Sequence, residues 1–432
     1  MDLAYYGDDF TGSTDVLETL ARAGIVADLF VDGRALGHGG GATSGATAIG
    51  LAGMSRTFSP AEMDARLPEA FTALAATRPR FLHYKVCSTF DSSPGIGSIG
   101  RAIEIGRHVL PARWTPLVVA APHLGRWSAF GNLFARSGPD SPAHRLDRHP
   151  TMSRHPVTPM TEADLRLVLA EQTSLPVTLV ELPTVEQGAD AALEAVERAA
   201  DGIVLFDAAS DAHLITIGRT LDALQRRTAA PLFVAGSSGI EAAVVAAGAV
   251  GASHHGRHVG HQSPLPSGPL LVVSGSRSPV TARQVDEALR AGFHDVPLVA
   301  SLADAAHGAA VASATTAHRE GRSVILRTGA GDWSTLAGES LGRLLGRVAG
   351  DILDAGSVRR VVVAGGDTSG AVAHELGVSS LRFIGPLAPG APWCRVTSTR
   401  PAIDGCAFAF KGGQVGHQDL LVVAREMRTL PA

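Results

Sequence analysis

The sequence predicts an α/β protein of two domains, each with a mainly parallel sheet flanked by helices, and three observations carry that expectation. Short apolar runs alternate with helix-spaced segments along the chain. At 432 residues and 44.5 kDa the chain is long for one core, so two domains are the natural division. Near each end a short apolar run breaks into Gly, Asp, Thr and Ser and then resumes with helical spacing: LAYYGDDFTGSTDVLETLARAG at Leu3 to Gly24, and RRVVVAGGDTSGAVAHELG at Arg359 to Gly377.

The strand-like runs are, in order, Ala4 to Tyr6, Phe81 to Val86, Leu117 to Ala121, Val177 to Leu182, Ile203 to Phe206, Leu232 to Val234, Leu270 to Val273, Val324 to Leu326 and Val361 to Ala364. After the first, Val16, Leu17 and Leu20 share one helical face before Gly24. After the last, Val372 and Leu376 do so before Gly377. Each intervening loop therefore sits at a strand's carboxyl end and a helix's amino end, where free N–H groups and the positive end of the helix dipole attract phosphate or carboxylate. The low-hydrophobicity stretch GASHHGRHVGHQSPLPSG, with Pro264 and Pro266, reads as a linker. The expected division is residues 1–250, a linker at 251–268, and residues 269–432, with the active site in the cleft between the domains.

Hydrophobic residues make up 45% and aromatics only 5%, with 49 Gly, so the core should consist mostly of Ala, Val and Leu packed around many turns. A net charge of -4 and a pI near 6.5 leave no electrostatic footprint for nucleic acid, and no block of like charge suggests a membrane surface. Small-molecule partners are expected, with room for a homo-oligomer. The opening MDLAYYGDDF lacks the regions of a signal peptide, and no apolar stretch is long enough to span a bilayer, so a cytoplasmic protein is expected. Cys87, Cys394 and Cys406 have neither the number nor the spacing of a disulfide framework or zinc site and read as reduced thiols in or near the core. His254, His255, His258 and His261 lack an acidic or Cys partner and read as linker residues, with no metal site of the protein's own expected. The Gly-rich segment Gly37 to Gly45 reads as a surface loop.

At its two loop segments the chain resembles the four-carbon acid sugar kinases, which use ATP to phosphorylate small sugar acids. GDDFTGSTD at Gly7 to Asp15 resembles that family's acid-sugar segment, and GGDTSG at Gly365 to Gly370 its nucleotide segment. Between and after them come KVCST at Lys85 to Thr89, GR at Gly125 and Arg126, HPVTPM at His155 to Met160, FDAASDAHL at Phe206 to Leu214, SGSRSPVTARQ at Ser274 to Gln284 and FKGGQVG at Phe410 to Gly416. Order and spacing together extend the resemblance over nearly the whole chain.

The resemblance implies phosphoryl transfer, which requires held donor phosphates, a magnesium ion and an acceptor hydroxyl that is aligned and relieved of its proton. SGSRS follows one predicted strand and precedes a helix opened by Pro279. GGDTSG repeats that arrangement, and KGG at Lys411 to Gly413 adds a third close-approach loop. Ser274, Ser276, Gly365, Gly366, Asp367, Thr368 and Gly412 are thus the candidate ATP contacts. No GxxxxGK[ST] pattern is present, so this is not a P-loop protein. Asp8 and Asp9 end the first strand with side chains on opposite faces, so one faces the cleft, unless both cap the following helix. The resemblance favours Asp9 as a contact to substrate hydroxyls, and Asp9 is also the candidate base. Asp15 reads as a first-turn partner of the helix dipole. Arg56 and Lys85 are cations near strand ends, and with Ser88 and Thr89 they are substrate-binding candidates through the resemblance.

One segment departs from the family pattern. Members read Lys-x-Asp-Ser-Thr-Leu-Arg-Gly-Asn where this chain has Lys85 to Ser93, so Cys87 replaces Asp and Asp91 replaces Arg. An anion in place of a cation beside an acid-binding site should change how the substrate is held. That points away from the usual tetronate or 3-oxo-tetronate and is consistent with a related acid, for example branched 3-oxo-isoapionate. Two other classes compete with the kinase reading. A nucleotide-dependent oxidoreductase would use the same kind of sheet but lacks a GxGxxG after the first strand. A non-catalytic sugar-acid sensor is motivated by the altered segment alone.

Overall fold

The computed structural model describes residues 1–33, 36, 45–138, 141–155, 157–228, 230–251, 265–298, 304–329, 338–356 and 358–427, with the backbone alone at 304–306, 338, 339 and 367. Residues 252–264 of the expected linker, including its four histidines, and residues 37–44 of the Gly-rich segment lie outside them.

In chain order the elements begin with β1 (Leu3–Gly7), α1 (Phe10–Arg22), β2 (Ala27–Phe30), β3 (Ala48–Ala52), α2 (Pro60–Ala76), β4 (Phe81–Lys85), α3 (Ile99–Val109) and β5 (Trp114–Val118). There follow β6 (Arg126–Ala129), β7 (Asn132–Arg136), β8 (Ala143–Arg145), α4 (Leu165–Ala170), β9 (Val177–Val180), α5 (Leu182–Glu186), α6 (Ala189–Arg198), β10 (Gly202–Phe206), α7 (Asp211–Arg226), β11 (Leu232–Gly236) and α8 (Gly239–Ala246). The remainder is β12 (Leu270–Ser274), α9 (Pro279–Arg290), β13 (His294–Leu298), α10 (Asp304–Arg319), β14 (Val324–Thr328), α11 (Gly338–Asp354), β15 (Arg360–Ala364), α12 (Gly366–Glu375), β16 (Val378–Ala388), β17 (Ala391–Ser398), β18 (Ala407–Lys411) and α13 (Leu420–Glu426). Two compact units emerge. The first comprises Met1–Asp8, Thr19–Ala27 and Leu36–Arg257; the second comprises Asp9–Glu18, Asp28–Ala35 and His258–Ala432.

The first unit holds parallel strands in the order β3-β1-β4-β11-β5-β10-β9. Its strands are continuous apolar runs because helices cover both faces of such a sheet. Close packing is visible at Gly50, where a Cβ would meet the Tyr5 ring at 2.2 Å, so the neighbouring strand can carry only glycine there. Helix α2 starts at a capping box, in which Ser59 accepts from the Glu62 amide while Glu62 accepts from the Ser59 amide, and Pro60 opens the first turn. It buries Met63, Leu67, Phe71 and Leu74. From β1 the next strand of this sheet is β3 on one side; from β4 the chain leaves toward β5 on the other. The carboxyl ends of β1 and β4 therefore flank a topological switch point, the place where open α/β sheets bind ligands. A small antiparallel sheet, β6-β7-β8, completes the unit.

The second unit runs β13-β14-β12-β15-β18 in parallel and continues with antiparallel β17, β16 and β2. Its core includes Leu270, Val272, Ile325, Val362, Trp393 and Leu420. Here β12 leads toward β13 and β14, whereas β15 leads the other way, so their carboxyl ends flank a second switch point. The fold class is the expected α/β one, with mainly parallel strands flanked by helices in each unit. Every expected strand is present, with ends shifted by a few residues. Leu117 to Ala121 is the largest shift, since β5 starts at Trp114 and ends at Val118. Asp15 requires correction: it lies beyond the first turn of α1, which carries no acidic residue, because the helix already starts at Phe10. No helix of the described residues is long and apolar enough to cross a membrane.

Candidate active site

At the first switch point the backbone of Asp8 joins the two strand ends, its amide donating to the Lys85 carbonyl at 2.8 Å. Arg56, just past β3, donates its backbone amide to the Asp8 carbonyl. Its guanidinium forks onto the Asp8 carboxylate, Nε to Oδ2 at 3.1 Å and Nη2 to Oδ1 at 2.8 Å. Such bidentate geometry makes this pair strong and rigid. The Arg56 backbone in turn passes so close to Gly97 that a Cβ there would stand 2.6 Å from the Arg56 carbonyl oxygen. Gly97 also has φ +63°, so any other residue is disfavoured twice. Lys85 is 3% exposed, and its Nζ donates to the Val86 carbonyl.

Beyond Lys85 the altered segment forms a tight turn, closed by the Phe90 amide on the Cys87 carbonyl. Phe90 is fully buried at φ +59°, a left-handed conformation that costs a bulky residue about 1 to 2 kcal/mol and is characteristically held at functional sites. Thr89 donates its hydroxyl proton to Asp91 Oδ1 at 2.8 Å. Its oxygen is thereby left to accept from the Cys87 thiol at 3.0 Å. Burial, reinforced by the Asp91 charge, pushes the Cys87 thiol up to about 11, so it serves as a neutral donor and not as a nucleophile. Asp91 is buried, and Ser88 is half-buried beside this chain of bonds.

Asp9 caps α1. Its Oδ1 accepts from the Gly12 amide at 2.8 Å and its Oδ2 from the Thr11 hydroxyl at 2.8 Å, while the Ser13 hydroxyl donates to its carbonyl. Its side chain is half-buried.

At the second switch point Gly365 adopts φ +122°, and a Cβ there would lie 2.9 Å from Thr368 Oγ1 and 3.4 Å from the Ser276 amide, so only glycine fits. Helix α12 begins immediately after it and directs its amino end to the loop. On the neighbouring strand end Ser276 Oγ accepts from the Ser278 amide, and Ser278 caps α9, whose first turn Pro279 opens as expected. The third loop closes against these two, since a Cβ on Gly413 would stand 2.8 Å from Ser276 Oγ. Gly366 has open space where its Cβ would project, and Gly412 would meet only Val415 at 3.4 Å. Ser274, Thr368 and the loop amides are thus gathered around one helix terminus, while the Asp367 side chain lies outside the described residues. Beneath them the fully buried Lys411 donates from Nζ to Thr281 Oγ1 at 3.0 Å, and Thr281 donates on to the Gly413 carbonyl at 2.8 Å. Burial lowers the Lys411 ammonium to about 8.

Two residues that the sequence did not single out stand by the first crevice. Arg126, at the start of β6, carries a buried Nε without a hydrogen-bond partner, and His149 carries a buried Nε2 likewise. Only GR at Gly125 and Arg126 could have pointed to the first, and it served solely as a family string.

A doubly wound α/β protein with charged and hydroxyl side chains at the switch point of one unit and Gly/Ser loops at that of the other fits a two-substrate transferase of the kinase class. A family of sugar-binding N-terminal domains matches residues 3–244, and a family of nucleotide-binding C-terminal domains matches residues 271–421. The chain belongs to the four-carbon acid sugar kinase family, and as a sugar acid kinase it is not the alternative oxidoreductase. It is 42% identical to a 3-oxo-isoapionate kinase of Paraburkholderia graminis, covering 99% of this chain and 94% of that one. It is 34% identical to a 3-oxo-tetronate kinase of Cupriavidus necator, covering 96% and 95%. A solved Haemophilus influenzae protein, HI1011 of family DUF1537, shares the fold with a TM-score of 0.74 at 22% identity over 98% of this chain and 99% of that one.

Proposed function

We propose that the protein transfers the γ-phosphate of ATP to a terminal hydroxyl of a branched 3-oxo sugar acid of the 3-oxo-isoapionate kind. The observation that carries this reading is the pair of switch-point crevices with contrasting chemistry. Ser274, Ser276, Gly365, Gly366, Thr368 and Gly412 are the proposed ATP contacts, with Asp367 beside them. Backbone amides and the α12 terminus hold phosphate oxygens, and the glycines let the triphosphate approach. Mg2+ binds mainly through nucleotide phosphates and water, and the hard hydroxyl oxygens of Ser276 and Thr368 suit that donor set; when bound it would neutralise charge on the transferred group.

Arg56, Lys85, Ser88 and Thr89 are the proposed acid-site residues, with different tasks. The Arg56–Asp8 fork sets the shape of the strand ends, Ser88 offers its hydroxyl, and Thr89 holds Asp91 in place. Asp91 supplies an anion that favours a ligand rich in hydroxyl donors, consistent with a hydroxymethyl branch. Asp9 is the proposed base, accepting the proton of the attacking hydroxyl. The greater identity to the 3-oxo-isoapionate kinase than to the 3-oxo-tetronate kinase supports the branched acid. An ADP-release screen against threonate, erythronate, their 3-oxo forms and 3-oxo-isoapionate tests the reading. The branched oxo acid should be converted best; equal or better conversion of D-threonate would remove the selectivity, and no ADP release with any acid would remove the function.

A further inference from the structure

Three cations, Arg56, Lys85 and Arg126, belong to the first switch point or its neighbourhood, and their commitments differ. Arg56 presents its fork to Asp8, and Lys85 is buried with Nζ on the Val86 carbonyl. Arg126 is differently placed. The backbone around it is fixed by Gly125 at φ +72° and by a two-way bridge in which Ala121 and Arg126 exchange amide bonds. One arm of its guanidinium, Nη1, donates to the Leu124 carbonyl. Nε is buried with no partner, and among the described residues no carboxylate stands within ion-pair distance. Burial lowers its basicity and the Asp91 charge counters this, which places the guanidinium near the altered turn.

His149 adds a second donor. Its Nδ1 accepts from the Thr151 and Met152 amides, each at 3.2 Å, so the ring proton resides on Nε2. That Nε2–H is buried and lies toward the Arg136 backbone without a full hydrogen bond. The charges of Arg126 and Asp91 both act on this ring, so the two donors lie in the same part of the unit. A buried donor without a partner carries a desolvation cost that an acceptor-rich ligand removes. The Nε edge of a guanidinium is moreover half of the fork that grips a carboxylate.

We propose that Arg126 receives the carboxylate of the sugar acid, with the His149 Nε2–H as a second donor to the same ligand. This rests on the sugar acid kinase reading and adds to it the residue that recognises the acid group. It also explains how an acid is held beside Asp91: the cation comes from β6 and not from the turn.

The test uses the full-length protein and the acid that the native protein converts best, with 3-oxo-isoapionate as the first probe. Steady-state kinetics are measured for Arg126→Met and Arg126→Lys, with ATP affinity and melting temperature as checks on folding. Arg126→Met should raise KM for the acid about 100-fold and leave KM for ATP unchanged. Arg126→Lys keeps the charge without the fork and should fall between the two. Should Arg126→Met fail to fold, the lysine variant decides alone. An unchanged KM for the acid in a folded variant overturns the assignment and leaves the kinase reading intact. Absence of turnover by the native protein with every acid overturns both.

Discussion

Replacing Lys411 by Met removes one of the most costly groups in the structure while nearly conserving its volume. The ammonium is fully buried, its Nζ bonds Thr281 Oγ1, and burial brings it from 10.5 to about 8. That displacement corresponds to about 3 kcal/mol. The sign follows from proton counts. Between pH 8 and 10.5 the unfolded chain holds this proton and the folded protein does not, so stability rises with pH across that window. Below pH 8 both states are charged and the full penalty is present. The methionine variant escapes the penalty but loses a hydrogen bond of about 1 kcal/mol, for a net gain of about 1 to 2 kcal/mol at pH 7. The gain should shrink from pH 8 to 10 as the native protein sheds the proton. Urea unfolding of both proteins at pH 7, 8, 9 and 10 measures it. Because the ammonium lies beneath the phosphate cradle, the same variant should bind ATP about tenfold less tightly. A methionine variant less stable at pH 7, by an amount independent of pH, would refute the reasoning and point to a compensating partner for the ammonium.

Three further substitutions probe the two crevices. Asp9→Asn keeps an equally good helix cap, so stability should hold within about 0.5 kcal/mol while turnover falls at least 100-fold; near-native turnover would reduce Asp9 to a cap. Gly366→Val adds a side chain into open space and should leave the melting temperature unchanged while weakening ATP binding tenfold or more, read by titration calorimetry, an outcome that native ATP affinity would exclude. Asp91→Arg alters a buried charge beside Arg126 and should shift the acid preference toward threonate and erythronate in the ADP-release panel; an unchanged profile would show that Asp91 does not act on the substrate.

The strands most legible in the sequence were those buried on both faces, such as β1, β12 and β15, where an unbroken apolar run has no other use. The hairpin of β16 and β17 escaped notice because the apolar residues of VSSLRFIGPLA are interrupted by Ser, Arg, Gly and Pro and its burial follows no strict alternation. Helix starts were equally readable where a local bond decides them, as at Ser278 and Pro279.

The chain by itself therefore determined the α/β class, the loops at strand ends and the family, because all three depend on residues adjacent in sequence. Tertiary structure decided what each charged residue is committed to. Nothing near Arg56 announces that its fork closes on Asp8, 48 positions away. Nothing near Lys411 announces Thr281, 130 positions away. Arg126 became conspicuous only as a buried nitrogen lacking a partner. The physical reason is common to these cases: burial multiplies the cost of an unpaired polar group, and only the folded chain establishes which groups are buried and which partners reach them.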